Sequence, residues 1–257
     1  MSRLFLGAAM LAATVLPPTS HAATRPTIVL VHGAFADSSS WNGVIGQLQK
    51  DGYTVVAAAN PLRSVKGDAA SVARVVGSIK GDVVLVGHSY GGSVITQAAE
   101  GQANVRALVY VAAFAPAVGE SGMALSRKYP GSTLGPTLAP PVALASGGHD
   151  LFIEQAKFPA QFAADLPPKT AALMAAGQRP VTDTALNDAP TSAAWTHIPS
   201  WHIYGDADKC IPPAAMAFMA ERAASKKTVV IKGASHVVMV SHPLEVAHVI
   251  EEAAAAK

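Results

Sequence analysis

Apolar residues along the chain gather in short unbroken runs, separated by longer stretches in which they recur every three or four positions. The runs are TIVLVH (Thr27 to His32), YTVVAAA (Tyr53 to Ala59), DVVLVG (Asp82 to Gly87), RALVYVAAF (Arg106 to Phe114), SWHIYG (Ser200 to Gly205) and KTVVIKG (Lys227 to Gly233). Runs so rich in β-branched residues, with little polar alternation, predict strands covered on both faces. Between them, Trp41 to Lys50, Asp68 to Ile79, Ser89 to Glu100, Pro213 to Ala224 and Leu244 to Ala255 are helix candidates. Gly52 and Gly101 stand just past two of these segments, and Pro213 and Pro243 open two others, as helix ends favour. Strand and helix in this alternation predict an α/β fold, a mostly parallel central sheet of about six strands flanked by helices.

One interval breaks the alternation. From Ala115 to about Trp195 there is no convincing strand, prolines and glycines are frequent, and only short pieces such as AKFPAQFAADL and PKTAALMAAG suggest helix. An interval of this length is too long for a bare loop inside a compact fold. It predicts an inserted, mainly helical cap over residues 115–195, with residues 24–114 and 196–257 forming the core. The closing EEAAAAK reads as the end of the last helix.

The opening MSRLFLGAAMLAATVLPPTSHA has a different character. Arg3, an apolar stretch from Leu4 to Leu16, and small residues at Ser20 and Ala22 predict a secretory signal over residues 1–22, cleaved near Ala22 or Ala23. Its apolar part is short for a bilayer span, so the mature protein is expected to be exported, periplasmic or secreted, with no stable membrane span. Export implies an oxidising compartment, yet Cys210 is the single cysteine, so no internal disulfide can form.

Composition adds bounds. With 257 residues, half of them hydrophobic, the chain can bury one sizeable core, and a single domain suffices. A formal charge of +2 and the lack of a basic stripe interleaved with aromatics argue against nucleic acid as a partner. The pattern defines no oligomeric state.

The chemistry concentrates at GHSYG, Gly87 to Gly91, which fits G-x-S-x-G directly after a buried run and directly before a helical one. A turn that tight strains the serine backbone and leaves no room for side chains at the flanking positions. Ser89 is thereby lifted to the carboxyl edge of the sheet, at the amino end of a helix that favours developing negative charge. A serine hydroxyl needs a base, and the base needs an orienting acid. YGDADKCIPP follows the fifth run and IKGASHVVMVSHP the sixth, so both loops reach the same sheet edge. Asp206 and Asp208 both stand in the first loop; the spacing from Gly205 and the following KCIPP favour Asp208. In the second loop His236 is the candidate base, and His242 adjoins the last helix. The order Ser89, Asp208, His236 is that of α/β-hydrolases. His32 is expected to shape a loop by hydrogen bonding, His88 to pack, Cys210 to be a small buried residue, and His149 and Asp150 to lie on the surface. No H-E-x-x-H, cysteine pair, carboxylate cluster or phosphate-loop lysine is present, so no metal or other cofactor is expected.

From about Thr27 to its end the chain resembles the α/β-hydrolase superfamily. VLVHGAF, LVGHSYGG, YVAAFAP, DKCIPP and IKGASHVVM resemble the small capped esterases that include plant methyl-salicylate esterases and their hydroxynitrile lyase relatives. The resemblance implies Ser89 as nucleophile, His236 as base, Asp208 as acid, and the backbone amides of Ala34 and Tyr90 as oxyanion hole. Hydroxynitrile lyases of this type carry threonine and lysine where this chain has Gly33 and Val237, which disfavours cyanohydrin cleavage. Phe35, Phe114 and Val237, each within one of these motifs, are candidates to line the substrate site. Phe152, Phe158, Phe162, Leu173 and Met174 give the cap an apolar character suited to a small or medium uncharged ester as the small-molecule substrate. Lactone or amide hydrolysis, acyl transfer and perhydrolysis would use the same three side chains, and a non-catalytic or slow ligand-binding protein on the same fold stays open beside them.

Overall fold

The computed structural model of the protein describes residues 25–256; the expected signal segment lies outside the described residues. Six strands, β1 (Thr27–Val31), β2 (Val55–Ala58), β3 (Val83–His88), β4 (Val105–Val111), β5 (Ser200–Gly205) and β6 (Lys227–Ile231), make one sheet in the order β2-β1-β3-β4-β5-β6. Every neighbouring pair in it is parallel. β3 and β5 are buried along their whole lengths because helices cover both faces, as an uninterrupted apolar run requires. β6 departs from that expectation: it is the sheet edge, and Val230 is 50% exposed.

Five helices flank the sheet: α1 (Asn42–Lys50), α2 (Val65–Ser78), α3 (Tyr90–Ala98), α4 (Pro213–Arg222) and α5 (Pro243–Ala255). α1 packs on α5, and α2 packs on α3. α2 begins three residues ahead of the expected start because Ser64 caps it, its hydroxyl accepting the Gly67 N–H at 3.1 Å. Its buried stripe, Val65, Ala69, Val72 and Val76, also contains a carboxylate, Asp68.

Between β4 and β5 the chain forms the short helices Gly122–Lys128, Phe158–Phe162, Pro168–Gly177 and Asp183–Asn187, together with a three-stranded antiparallel sheet. That sheet, Val142–Ala143, His149–Leu151 and Val181–Thr182, corrects the expectation that this interval holds no strand. Strands of two or three residues are too short for an alternating pattern to register in sequence. The insertion is fastened to the core through Arg63, whose guanidinium donates to Asp150 at 2.6 Å and to the Pro180 carbonyl at 2.9 Å. The Thr182 hydroxyl returns a bond to the Arg63 carbonyl at 2.6 Å. His149 and Asp150 thus serve as structural ties, His149 pairing with Asp183 at 3.0 Å.

Candidate active site

Where β3 runs into α3, Ser89 adopts φ 54° and ψ −123°, a conformation that costs a non-glycine residue about 1–3 kcal/mol. The fold holds it there from several sides: its N–H reaches the Val111 carbonyl at 3.3 Å, and its carbonyl accepts from Gly92 at 2.9 Å and Phe114 at 3.2 Å. A Cβ on Gly87 would stand 2.6 Å from the Gly91 carbonyl oxygen, and one on Gly91 would stand 2.6 Å from that of Val31. Both contacts are closer than any real Cβ makes, so the glycines on either side of the serine are what permit the turn.

The Ser89 hydroxyl is 2.8 Å from Nε2 of His236, and Nδ1 of His236 is 2.6 Å from a carboxylate oxygen of Asp208. All three residues are buried. A carboxylate partner gives Nδ1 the hydrogen, so Nε2 is the acceptor that faces the hydroxyl. The other Asp208 oxygen accepts the Cys210 N–H at 2.7 Å and the Ile211 N–H at 3.0 Å, which fixes the carboxylate plane. Asp206 does something else: it is exposed and accepts the Gly233 N–H at 2.6 Å, closing the loop after β6.

Two further histidines brace this arrangement. His88 donates from Nε2 to the His236 carbonyl at 3.0 Å, anchoring the backbone that carries the imidazole. Burial, with the neighbouring His236 ring acting in the same direction, holds His88 well below the usual imidazole range, so it is neutral. His32 accepts the Asn60 N–H on Nε2 at 3.1 Å, which leaves its Nδ1–H to donate to the Gly33 carbonyl at 3.0 Å. Burial lowers its pKa also. His32 thereby sets the path of the loop that presents Ala34.

A cavity of about 110 Å³ opens on Ser89 and His236, and Ala34, Tyr90, Phe35 and Phe114 line it. Tyr90 is the first residue of α3, so its N–H has no partner within the helix. Phe162, Met123, Leu134, Leu138 and Leu186 from the insertion complete an apolar wall. Val237 does not join them: it is fully buried in the core, because the chain turns into the short helix Val238–Ser241 just after His236. Of the insertion's other candidates, Phe158 packs at 4.8 Å on Phe162, Leu173 is largely exposed, and Phe152 and Met174 line separate depressions.

Of the insertion's contributions to the cavity only Phe162 was among the expected residues; Met123, Leu134, Leu138 and Leu186 were not legible beforehand, since no motif marks them. Asp165 is a clearer omission: its carboxylate accepts the Ser235 hydroxyl beside His236. Asp68, which binds the Tyr90 phenol at 2.8 Å, had a usable signal as the acidic member of an apolar helix face. Among the described residues, the grouping of donors that could approach a metal ion is Asp208, Cys210 and His236, with donor atoms within 4.8 Å of one another. Burial, and then the Asp208 charge, push the Cys210 thiol well above its ordinary range, so the thiol is protonated here.

The sequence model of the alpha/beta hydrolase family matches residues 28–249. An α/β hydrolase of Aspergillus novofumigatus (strain IBT 16806) is 28% identical over 251 residues, covering 90% of this chain and 97% of that protein. A carbendazim hydrolyzing esterase of Nocardioides sp. (strain SG-4G) is 38% identical over 116 residues, 39% of this chain and 47% of its own. Among solved structures, polyneuridine aldehyde esterase superposes with a TM-score of 0.77 at 20% identity, over 89% of this chain and 99% of the other, a likeness of fold. With a family match across nearly the whole described chain, and a strained serine at the turn out of its third strand, the protein belongs to the α/β hydrolase family.

Proposed function

We propose that the protein is a serine esterase that cleaves small to medium uncharged carboxylic esters through an acyl-enzyme. The observation that carries this reading is the continuous hydrogen-bonded path from the Ser89 hydroxyl through His236 to Asp208, at 2.8 and 2.6 Å. A polar relay of this order, opening into an apolar cavity, fits acyl transfer better than ligand storage. A relative described as a carbendazim hydrolyzing esterase supports the same direction.

In the first step Ser89 Oγ attacks the ester carbonyl while His236 Nε2 takes its proton. The negative oxygen is received by the backbone amides of Ala34 and Tyr90, and His236 then protonates the departing alcohol. Water repeats the sequence against the acyl-enzyme and releases the acid. Asp208 keeps the imidazole in the tautomer with hydrogen on Nδ1 and stabilises its charged form. The amides of Cys210 and Ile211 hold the Asp208 carboxylate in the plane that faces His236. The apolar lining favours uncharged acyl or aryl groups, and residues 115–195 act as a cap that excludes water from the reacting centre.

The test is turnover of p-nitrophenyl acetate and butyrate, together with labelling by a fluorophosphonate probe. Both are expected in the wild type and lost in Ser89→Ala. Labelling that persists in the variant would place the nucleophile elsewhere, and a wild type inert to both would reject the esterase reading. Export, supported by the N-terminal pattern, is tested by fractionating cells that express the full chain.

A further inference from the structure

We infer that the side chain of Phe35 is a partition that sets the longest chain the substrate chamber accepts; the inference deepens the esterase reading and rests on it. Two cavities meet at this residue. One is the cavity of about 110 Å³ on Ser89 and His236, and the other, of about 330 Å³, lies between the loop after β1 and the insertion. Phe35 is the residue common to the linings of both. The lining of the second cavity includes the apolar Leu173, Met174 and Val240 and the polar Asp37, Ser39, Asn42 and Gln178. A lining of this mixed kind can take an alkyl chain and still meet polar atoms of a longer substrate.

The ring is held in place at a cost. Phe35 has φ 58°, a left-handed conformation uncommon for a bulky residue, and it is 2% exposed. Its ring stands edge-on to Phe162 at 6.2 Å, and Phe162 stands edge-on to His236 at 4.9 Å. Strained positions of this kind persist where the surroundings over-determine them, and they cluster at sites where the geometry has a use. Here the use is to close the smaller cavity where it meets the larger one, so that a short acyl or alcohol group fills it and a longer one meets the ring.

The experiment compares wild type, Phe35→Ala and Phe35→Gly on p-nitrophenyl esters from acetate to dodecanoate. Phe35→Gly removes the ring and also suits the left-handed backbone, so it guards against a variant that fails to fold. The expected result is a rise of tenfold or more in the ratio of kcat/KM for octanoate to that for acetate in both variants. The same truncations in a Ser89→Ala background are expected to bind octanoate at least tenfold more tightly by calorimetry. Unchanged ratios with Ser89-dependent turnover intact would overturn the partition and leave the esterase reading standing. If the wild type turns over none of these esters the esterase reading fails, and the octanoate affinities still decide whether the ring divides the two spaces.

Discussion

The phenol of Tyr90 donates to the Asp68 carboxylate at 2.8 Å, and the same carboxylate accepts the Arg63 backbone N–H at 3.1 Å. A polar path thus runs from Asp150 in the insertion, through Arg63 and Asp68, to the residue that follows Ser89. Burial raises the Asp68 pKa above that of an ordinary carboxylate, against the smaller opposing effect of its hydrogen bonds. A folded-state value above the unfolded one, about 3.9, contributes stability that is whole at low pH and lost as pH rises through the folded value. Asp68→Asn does not titrate. The melting temperature of the wild type minus that of Asp68→Asn is expected to shrink as pH is raised from 4 toward neutrality, and parallel curves over that range would contradict it.

Asp208→Asn is expected to fold normally and to lose roughly 10⁴-fold in kcat. The amide oxygen can continue to accept from Cys210 and Ile211, which turns the amide nitrogen toward His236 and forces the wrong imidazole tautomer. Steady-state kinetics on p-nitrophenyl acetate check the loss. A fall of less than tenfold would mean that the carboxylate is not needed to orient the base.

Gly33→Thr is expected to lower kcat by about 10²- to 10³-fold, the range seen when an oxyanion donor is displaced. A Cβ at Gly33 would stand 2.6 Å from Cβ of Ser89 and 2.8 Å from the His88 carbonyl oxygen, so the loop carrying Ala34 must move. The slower rate should appear in acylation by a fluorophosphonate as well as in ester turnover. Wild-type rates in both assays would rule out Ala34 as the oxyanion donor proposed above.

His202 stacks on Tyr110 at 4.8 Å, and burial pushes its pKa down to about 3. An unfolded histidine titrates near 6.5, so this group's contribution is whole above that pH and declines by about 1.4 kcal/mol per pH unit as pH falls toward 3. Burial depresses His32 and His88 as well, so their slopes add to it. The urea midpoint is expected to fall steeply between pH 7 and 5, and His202→Phe, which keeps the stack, should flatten that fall. A variant with the wild-type slope would show that His202 titrates in the folded protein.

The strands and helices of the sheet were readable because burial on both faces leaves a continuous apolar run, and because G-x-S-x-G encodes a backbone constraint that few other residues satisfy. The order of Ser89, Asp208 and His236 was readable because each follows a recognisable strand. Val237 was misplaced, since adjacency in sequence to His236 says nothing of which way the chain turns next. Phe35 and Phe114 stand on the loops that end β1 and β4, and these face the cavity by construction. The insertion was opaque, because its strands are too short for a period and its contacts, such as Arg63 with Asp150, join residues far apart in the chain.

The insertion also reaches His236. Phe162 presents its edge to the His236 ring at 4.9 Å, and Asp165 receives the hydroxyl of the preceding Ser235. In the esterase proposed above, selectivity and proton transfer would therefore share the same side chains. On that proposal, swapping in the roof of a relative to alter substrate range would also disturb the packing around the His236 ring, and useful new variants should arise from paired changes in the roof and the loop that carries His236.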